Sequence, residues 1–452
     1  MTQTASQTAS RTAVVVVLFR IVGVVFQAAV VVLLANRLSI VDMGIFSATY
    51  VFWGLARMLG PVGHDQLGLR EIAGARAKDQ HPYAAAVYGH VSWIAACIGA
   101  AVALATAVAL VMVGARLSSA LSWQHAILIA LAVPAFTLIG VQMAAARGFD
   151  RNISSQAIEA FGLHGATGLM LLVHLMFAEL TLTAVLLWMA LFAWLTVLTF
   201  FAMLRPSVGD SPDTLPLESR RRLWREGFEV WHALVLIGLA SRAPTYITLT
   251  MLGPAETALL EVAIRFGTLP TIFTTGVTAT FAPLLAGLSA RGDKAALKSN
   301  LAVSSWLSFI PAVCTLLGAA VLGQWLLATF FPAAYQASYL PLLIVILATT
   351  VNGGYGMSSV LLLMTGHQKM VRQYSAVQFA FVTCYGILFG YFYGLVGIAA
   401  GLLLGFIVFD VGLALQVPKV LGVNGFLHLH GLRTLISSLL VGHVRTWETP
   451  SR

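Results

Sequence analysis

The chain has 452 residues, 59% of them hydrophobic and only 10% charged, and its mean hydropathy of +0.88 excludes a soluble globular domain. The net charge of +9 lies in short stretches between apolar runs, not in a basic domain, which argues against nucleic acid as a partner. Three cysteines, Cys97, Cys314 and Cys384, sit in separate apolar runs without ligand spacing, so neither a disulfide framework nor a metal site follows.

Taken in order, the chain contains twelve apolar runs, at 14–34, 44–63, 84–113, 125–146, 154–176, 180–204, 228–251, 258–285, 300–322, 339–364, 373–392 and 396–417. About 20 helical residues cross the roughly 30 Å of hydrocarbon in a bilayer. No small-residue cleavage site follows the first run, which is therefore read as a retained span. The reading is an all-α integral membrane protein of twelve transmembrane helices. With the amino terminus in the cytoplasm, 20 of the 26 Lys and Arg fall on the inner side, only Arg37 and Arg116 outside, and four within spans. That imbalance sets both termini in the cytoplasm.

The segment 205–227, rich in Pro, Asp and Arg, divides the chain near its middle. Leu38-Ser-Ile-Val-Asp42-Met-Gly44-Ile-Phe46 recurs 214 residues later as Leu252-Gly-Pro-Ala-Glu256-Thr-Ala258-Leu-Leu260, and Arg76-Ala-Lys78 has its counterpart in Arg291-Gly-Asp-Lys294. Such internal similarity predicts a duplication. An even number of spans per half makes the two six-helix lobes parallel repeats, related by a pseudo-two-fold axis along the membrane normal. The expected organisation is an N-terminal lobe at 1–204, a cytoplasmic linker at 205–227, a C-terminal lobe at 228–417 and a cytoplasmic amphipathic tail at 418–452. Asp42 and Glu256 begin the second and eighth spans, where a carboxylate favours the positive end of the helix dipole.

Four arginines lie inside spans: Arg20, Arg57, Arg242 and Arg265, in the first, second, seventh and eighth. Each costs roughly 2.5 to 3.5 kcal/mol near a bilayer centre, so the reading is a shared, hydrated cavity that receives an anion. Helical spacing groups Arg20 with Gly23 and Gln27, and Arg242 with Gly238 and Thr245. By the same spacing Arg57 shares a face with Gly54, Pro61 and His64, and Arg265 with Glu261 and Thr268. The planar guanidinium fork suits phosphate oxygens and stays charged at any relevant pH. Bland readings stand beside this one: Arg265 follows Glu261 at helical-pair spacing, and Arg57 can reach the inner surface by extending its side chain. Glu159, Glu261 and Asp410 are the spans' acids and candidates for ion coupling, with pairing to an arginine as the alternative. His164 and His174, ten residues apart, fall on different faces and predict no metal site.

Around Leu34-Ala-Asn-Arg37-Leu, Asp42-Met-Gly44-Ile-Phe46 and Asp65-Gln-Leu-Gly-Leu69-Arg70-Glu71, and again at Phe331-Pro-Ala-Ala-Tyr335 and Thr365-Gly366-His-Gln-Lys369, the chain resembles bacterial polysaccharide and O-antigen flippases. These belong to the multidrug/oligosaccharidyl-lipid/polysaccharide exporter superfamily. The resemblance implies a bacterial inner-membrane location and a central cavity lined largely by spans one, two, seven and eight. It also implies an undecaprenyl-diphosphate-linked oligosaccharide moved from the cytoplasmic to the periplasmic leaflet by alternating access. The product would be O-antigen of lipopolysaccharide or an exopolysaccharide, with a polymerase and chain-length machinery as partners. Arg20, Gln27, Arg57, Arg242 and Arg265 are then the expected substrate-binding set, the diphosphate passing from the first and third of these towards the last two.

The chain carries no phosphate-cradling glycine loop, nucleophile elbow or Cys/His cluster, so no enzyme activity and no cofactor are expected. Two rival functions remain. A cation-coupled multidrug antiporter of the same superfamily would need carboxylates facing its substrate, yet arginines outnumber acids within the spans. A membrane-embedded polymerase or glycosyltransferase would need large outer loops.

Overall fold

A computed structural model describes residues 2–117, 121–208 and 215–424, with 427 and 432. Among these the regular structure is wholly helical. In order the helices are α1 (Thr2–Arg37), α2 (Ile40–Leu59), α3 (His64–Arg76), α4 (His81–Leu117), α5 (Trp123–Gly148) and α6 (Asn152–Ala157). A π-helical segment (Ile158–Gly165) leads into α7 (Ala166–His174), then α8 (Leu182–Val208), α9 (Leu217–Met251), α10 (Pro254–Gly267) and α11 (Thr271–Ala290). After α12 (Lys294–Phe330) come a 3-10 turn (Ala333–Ser338), α13 (Tyr339–Tyr355), α14 (Met357–Met364) and α15 (Gln368–Phe406). A second π segment (Ile407–Val411) precedes α16 (Gly412–Leu421). Apart from Leu427 and Leu432, the tail expected to lie on the membrane lies outside the described residues beyond Asn424.

Nine of the described helices are long and apolar enough to cross a membrane, or ten if the pair Leu217–His232 and Val235–Met251, bent by 42°, is one span. One of the nine is the 54-residue stretch Gln368–Leu421, which reverses at Gly394 (φ 57°, ψ −134°), a conformation that only glycine adopts without penalty. Past the turn Gly401 packs against Gly386 and Gly405 against Val382, so α15 is a hairpin and makes two crossings. With that division, and with α2, whose 20 residues suffice in length, every expected span falls on a helix. The chain is a multi-pass helical membrane protein of the expected twelve-helix class.

Two expectations are corrected in detail. The second span does not run to residue 63: α2 ends at Leu59, and a turn with Val62 (φ 50°) and Gly63 (φ 75°) starts α3. Pro61 and His64 are thus not on the helical face of Arg57. The eighth span is broken at Thr268–Pro270 into α10 and α11, because a proline cannot donate a backbone hydrogen bond within a helix.

The described chain packs as two compact units, Met1–Glu261 with Phe330–Pro332, and Val262–Thr329 with Ala333–Arg452. In the first, α5 is the axis. Its N-terminus is closed by a capping box in which Ser122 and His125 satisfy each other's backbone amides, and His125 also meets Thr183 of α8 at 2.9 Å. Small residues let neighbours approach the axis closely. A Cβ at Gly140 would stand 2.5 Å from the Arg57 carbonyl oxygen. Trp53 stacks on Phe136 at 5.1 Å and donates from its indole to the Ile129 carbonyl at 3.0 Å. α2 begins where Ser39 caps it: the Ser39 hydroxyl accepts from the Asp42 amide and donates to its carboxylate at 2.8 Å. α9 runs antiparallel along α2, with Pro254 beside Gly44, Arg242 beside Gly54, Gly238 beside Met58 and Gly227 beside Gly63. α1 runs parallel to the π segment and α7, Gly23 facing Ala160 and Val30 facing Gly168.

In the second unit a core of Leu285, Leu297, Leu301, Met357, Leu361, Leu413 and Val417 joins α11, α12, α14 and α16. α10 reaches α13 through Gly267, whose carbonyl accepts from the Thr349 hydroxyl at 3.0 Å.

Candidate functional site

The polar side chains of the first unit gather where α2 meets α9 on one side and the π segment on the other. Arg242 projects from α9 over Gly54: a Cβ there would be 3.9 Å from its Nη2, so the absent side chain leaves room for the guanidinium. One turn further along α2, Arg57 forms an ion pair with Glu159 of the π segment at 2.7 Å. It also packs against the Met143 sulfur of α5. The two side chains keep 27% and 22% exposure.

Arg20 is exposed on α1, one turn before the Gly23–Ala160 contact, and lies within electrostatic range of Glu159 together with His164. Gln27, two turns on, donates its amide to the Tyr50 hydroxyl of α2 at 2.8 Å. Glu261, only 2% exposed, accepts from the Thr245 hydroxyl, one turn from Arg242. Three guanidinium groups and two carboxylates thus share this unit's membrane-embedded helices, which are otherwise largely apolar.

Arg265 belongs to the second unit, where α10 carries it four residues after Glu261. Asp410 lies in the second π segment and is fully buried. Both its oxygens accept from the Asn352 amide of α13, at 3.1 and 3.2 Å. Two of the three candidate coupling acids, Glu159 and Asp410, therefore sit in π-helical segments, a geometry concentrated at functional sites.

Sequence reasoning missed Asn352, Tyr50 and Met143. Each is an ordinary residue in an apolar run, and only the fold makes it a partner. Sequence reasoning also passed over the polar cluster at the expected cytoplasmic end. There Arg70 of α3 pairs with Glu226 of α9 at 2.5 Å and with Glu71 at 3.2 Å, and Arg222 of α9 pairs with Glu71 at 2.8 Å. Those carboxylates hold the Arg70 guanidinium above its usual value. Burial pushes the neighbouring Asp65 carboxyl up and holds the His64 imidazole below its usual value. The His64 Nδ1 faces the Pro61 and Val62 carbonyls at 3.0 and 3.1 Å. No group of three His, Cys, Asp or Glu able to hold a metal occurs among the described residues.

No protein-family model matches the chain, and no curated protein matches it. Solved structures do. An inward-facing multidrug resistance MATE family transporter of the MOP superfamily superposes with a TM-score of 0.74 at 12% identity, over 95% of this chain and 100% of that one. The lipid II flippase MurJ in an inward closed conformation gives 0.70 at 14% identity, over 95% and 90%. An outward-facing MATE family transporter gives 0.64 at 15%, over 96% of both chains. With nearly the whole chain covered in each case, the chain shares the fold of these structures.

Proposed function

We propose that the protein is a flippase that moves an undecaprenyl-diphosphate-linked oligosaccharide from the cytoplasmic to the periplasmic leaflet by alternating access, supplying O-antigen or exopolysaccharide synthesis. The observation that carries this reading is the set of guanidinium groups on the first unit's embedded helices: Arg242 beside Gly54 and Arg57 paired with Glu159. A guanidinium fork suits phosphate oxygens in charge and shape. Arg20 adds a third positive group within range of the same carboxylate. Arg265, carried by the second unit, is proposed as a further substrate residue, and Gln27 holds the Tyr50 hydroxyl of α2. The likeness to MurJ, a lipid II flippase, supports a lipid-linked substrate.

Among the acids, Glu159 is neutralised by the Arg57 guanidinium, whereas Asp410 is fully buried against the neutral Asn352 amide, and this reading favours Asp410 as the coupling residue. A buried carboxylate held by one amide is suited to exchanging a proton or a small cation. The likeness to MATE transporters supports the second reading, export of a cationic drug. Against it, the first unit's embedded cations outnumber its embedded acids.

Proteoliposomes separate the two. Purified protein is expected to translocate a fluorescent undecaprenyl-diphosphate oligosaccharide, with Arg20→Ala and Arg242→Ala each reducing the rate at least tenfold and Asp410→Asn abolishing its response to an imposed ion gradient. Ethidium efflux with no movement of the lipid would overturn the flippase reading in favour of the antiporter.

A further inference from the structure

The first three turns or so of α9 have two polar faces with opposite fates. Arg222 and Glu226, one turn apart, are tied to Glu71 and Arg70 of α3. The other face carries Arg220, Arg221, Trp224, Arg225 and Phe228, and with His90 of α4 it lines a cavity of about 690 Å³. None of these three arginines makes an ion pair among the described residues, although Arg225 is within electrostatic range of Glu226. Two polar atoms here, the Arg220 Nε and the His90 Nε2, are buried without a hydrogen-bond partner. Arg220 and His64 both lie within electrostatic range of His90, and His64 meets Trp224 edge to face at 4.8 Å. The cavity thus concentrates the positive charge of three arginines at one place.

We infer that this cavity binds the phosphate head group of an anionic membrane lipid. The exposed forks of Arg221 and Arg225 address phosphate oxygens. Leu217, Trp224 and Phe228 are 63%, 42% and 48% exposed, an apolar border that a free phosphate ion would not need and that glycerol and acyl chain cover. The position fits as well. Both helices start on the expected cytoplasmic side, and His90 is nine residues into α4, about 13 Å along its axis. That is the depth of lipid head groups and the upper acyl chain, and aromatic residues favour this level. Anionic lipids are drawn to juxtamembrane arginines for the same electrostatic reason. The site is distinct from the arginines proposed to carry the transported lipid, and its test reads binding, not transport.

Full-length protein in detergent is titrated with phosphatidylglycerol, with phosphatidylcholine of the same acyl chains and with inorganic phosphate, and bound adducts are counted by native mass spectrometry. One phosphatidylglycerol is expected to bind at least tenfold more tightly than phosphatidylcholine. The exposed pair Arg221→Gln/Arg225→Gln is expected to lower that affinity at least tenfold, and Trp224→Ala to lower it severalfold. Arg291→Gln/Lys298→Gln, which removes the same charge from exposed positions of the second unit, is expected to change it less than twofold. Unchanged elution and melting temperature of all variants keep the comparison valid, and Arg221→Gln alone replaces any that misfolds. Equal binding of the two lipids, or equal losses in the two double variants, overturns the site. Displacement of the lipid by an equal concentration of inorganic phosphate overturns the lipid as its occupant.

Discussion

Arg57 of α2 and Glu159 of the π segment are bound to each other at 2.7 Å while each keeps about a quarter of its surface open. Breaking a buried pair by removing one partner costs about 3 to 5 kcal/mol. Partial exposure lets water replace the lost partner, so about 1 to 2 kcal/mol is expected here.

The pair separates structural from functional charge. Glu159→Gln and Arg57→Gln should each lower the melting temperature in detergent, and the double variant should recover most of the loss. Transport should not follow stability: Arg57→Gln and the double variant are expected to lose at least tenfold in the proteoliposome assay, because the diphosphate loses a donor, whereas Glu159→Gln keeps a large share of the rate. Equal recovery of transport in the double variant would reduce Arg57 to a structural ion-pair partner.

Gly54 gives a steric test of Arg242. A Cβ at Gly54 would meet Arg242 at 3.9 Å, an ordinary contact, so Gly54→Ala should leave transport within about twofold and stability within about 0.5 kcal/mol. Gly54→Leu should displace the guanidinium and cut transport more than tenfold. Substrate binding and rate measured on the two variants check this.

At Gly44 the contact is with backbone. Any Cβ would overlap the Pro254 carbonyl group, which no rotamer change relieves, so Gly44→Ala is expected to separate α2 from the start of α10 and cost about 1 to 3 kcal/mol. Gly89→Ala, where nothing lies within 4 Å of the new Cβ, serves as the neutral comparison in the same thermal unfolding assay.

His64 makes stability depend on pH. Burial lowers its pKa from 6.5, so the folded state favours the neutral ring. Its contribution to stability is complete above 6.5 and is lost as the pH falls through the lowered folded value. Asp65, raised from 3.8 by burial, works in the opposite sense: its contribution is complete below 3.8 and lost as the pH rises through the raised value. Because Asp65 is present in both proteins, the difference between wild type and His64→Gln isolates the imidazole. That difference should narrow as the pH is lowered from 7.5 to 5, read as melting temperature in detergent.

Hydropathy alone identified the apolar segments that form the spanning helices, because partition into lipid is nearly a sum over local segments. It also singled out Arg20, Arg57 and Arg242, since a cation in an apolar run is costly wherever the run ends up. What each arginine touches was not legible. Arg57 finds Glu159 about a hundred residues away, and Arg242 finds Gly54 nearly twice as far off in sequence. Such pairings depend on which helices pack together, and no local pattern encodes that. The two π segments escaped for a related reason: an extra residue in the helical repeat rotates everything after it, and only coordinates register that shift. The tertiary structure also ended α2 at Leu59 and thereby turned His64 away from the face that regular spacing assigned to it. It set one face of α9 against α3 and left the other open as a cationic cavity, because helix packing satisfies charges where a partner is within reach and leaves the rest for a ligand.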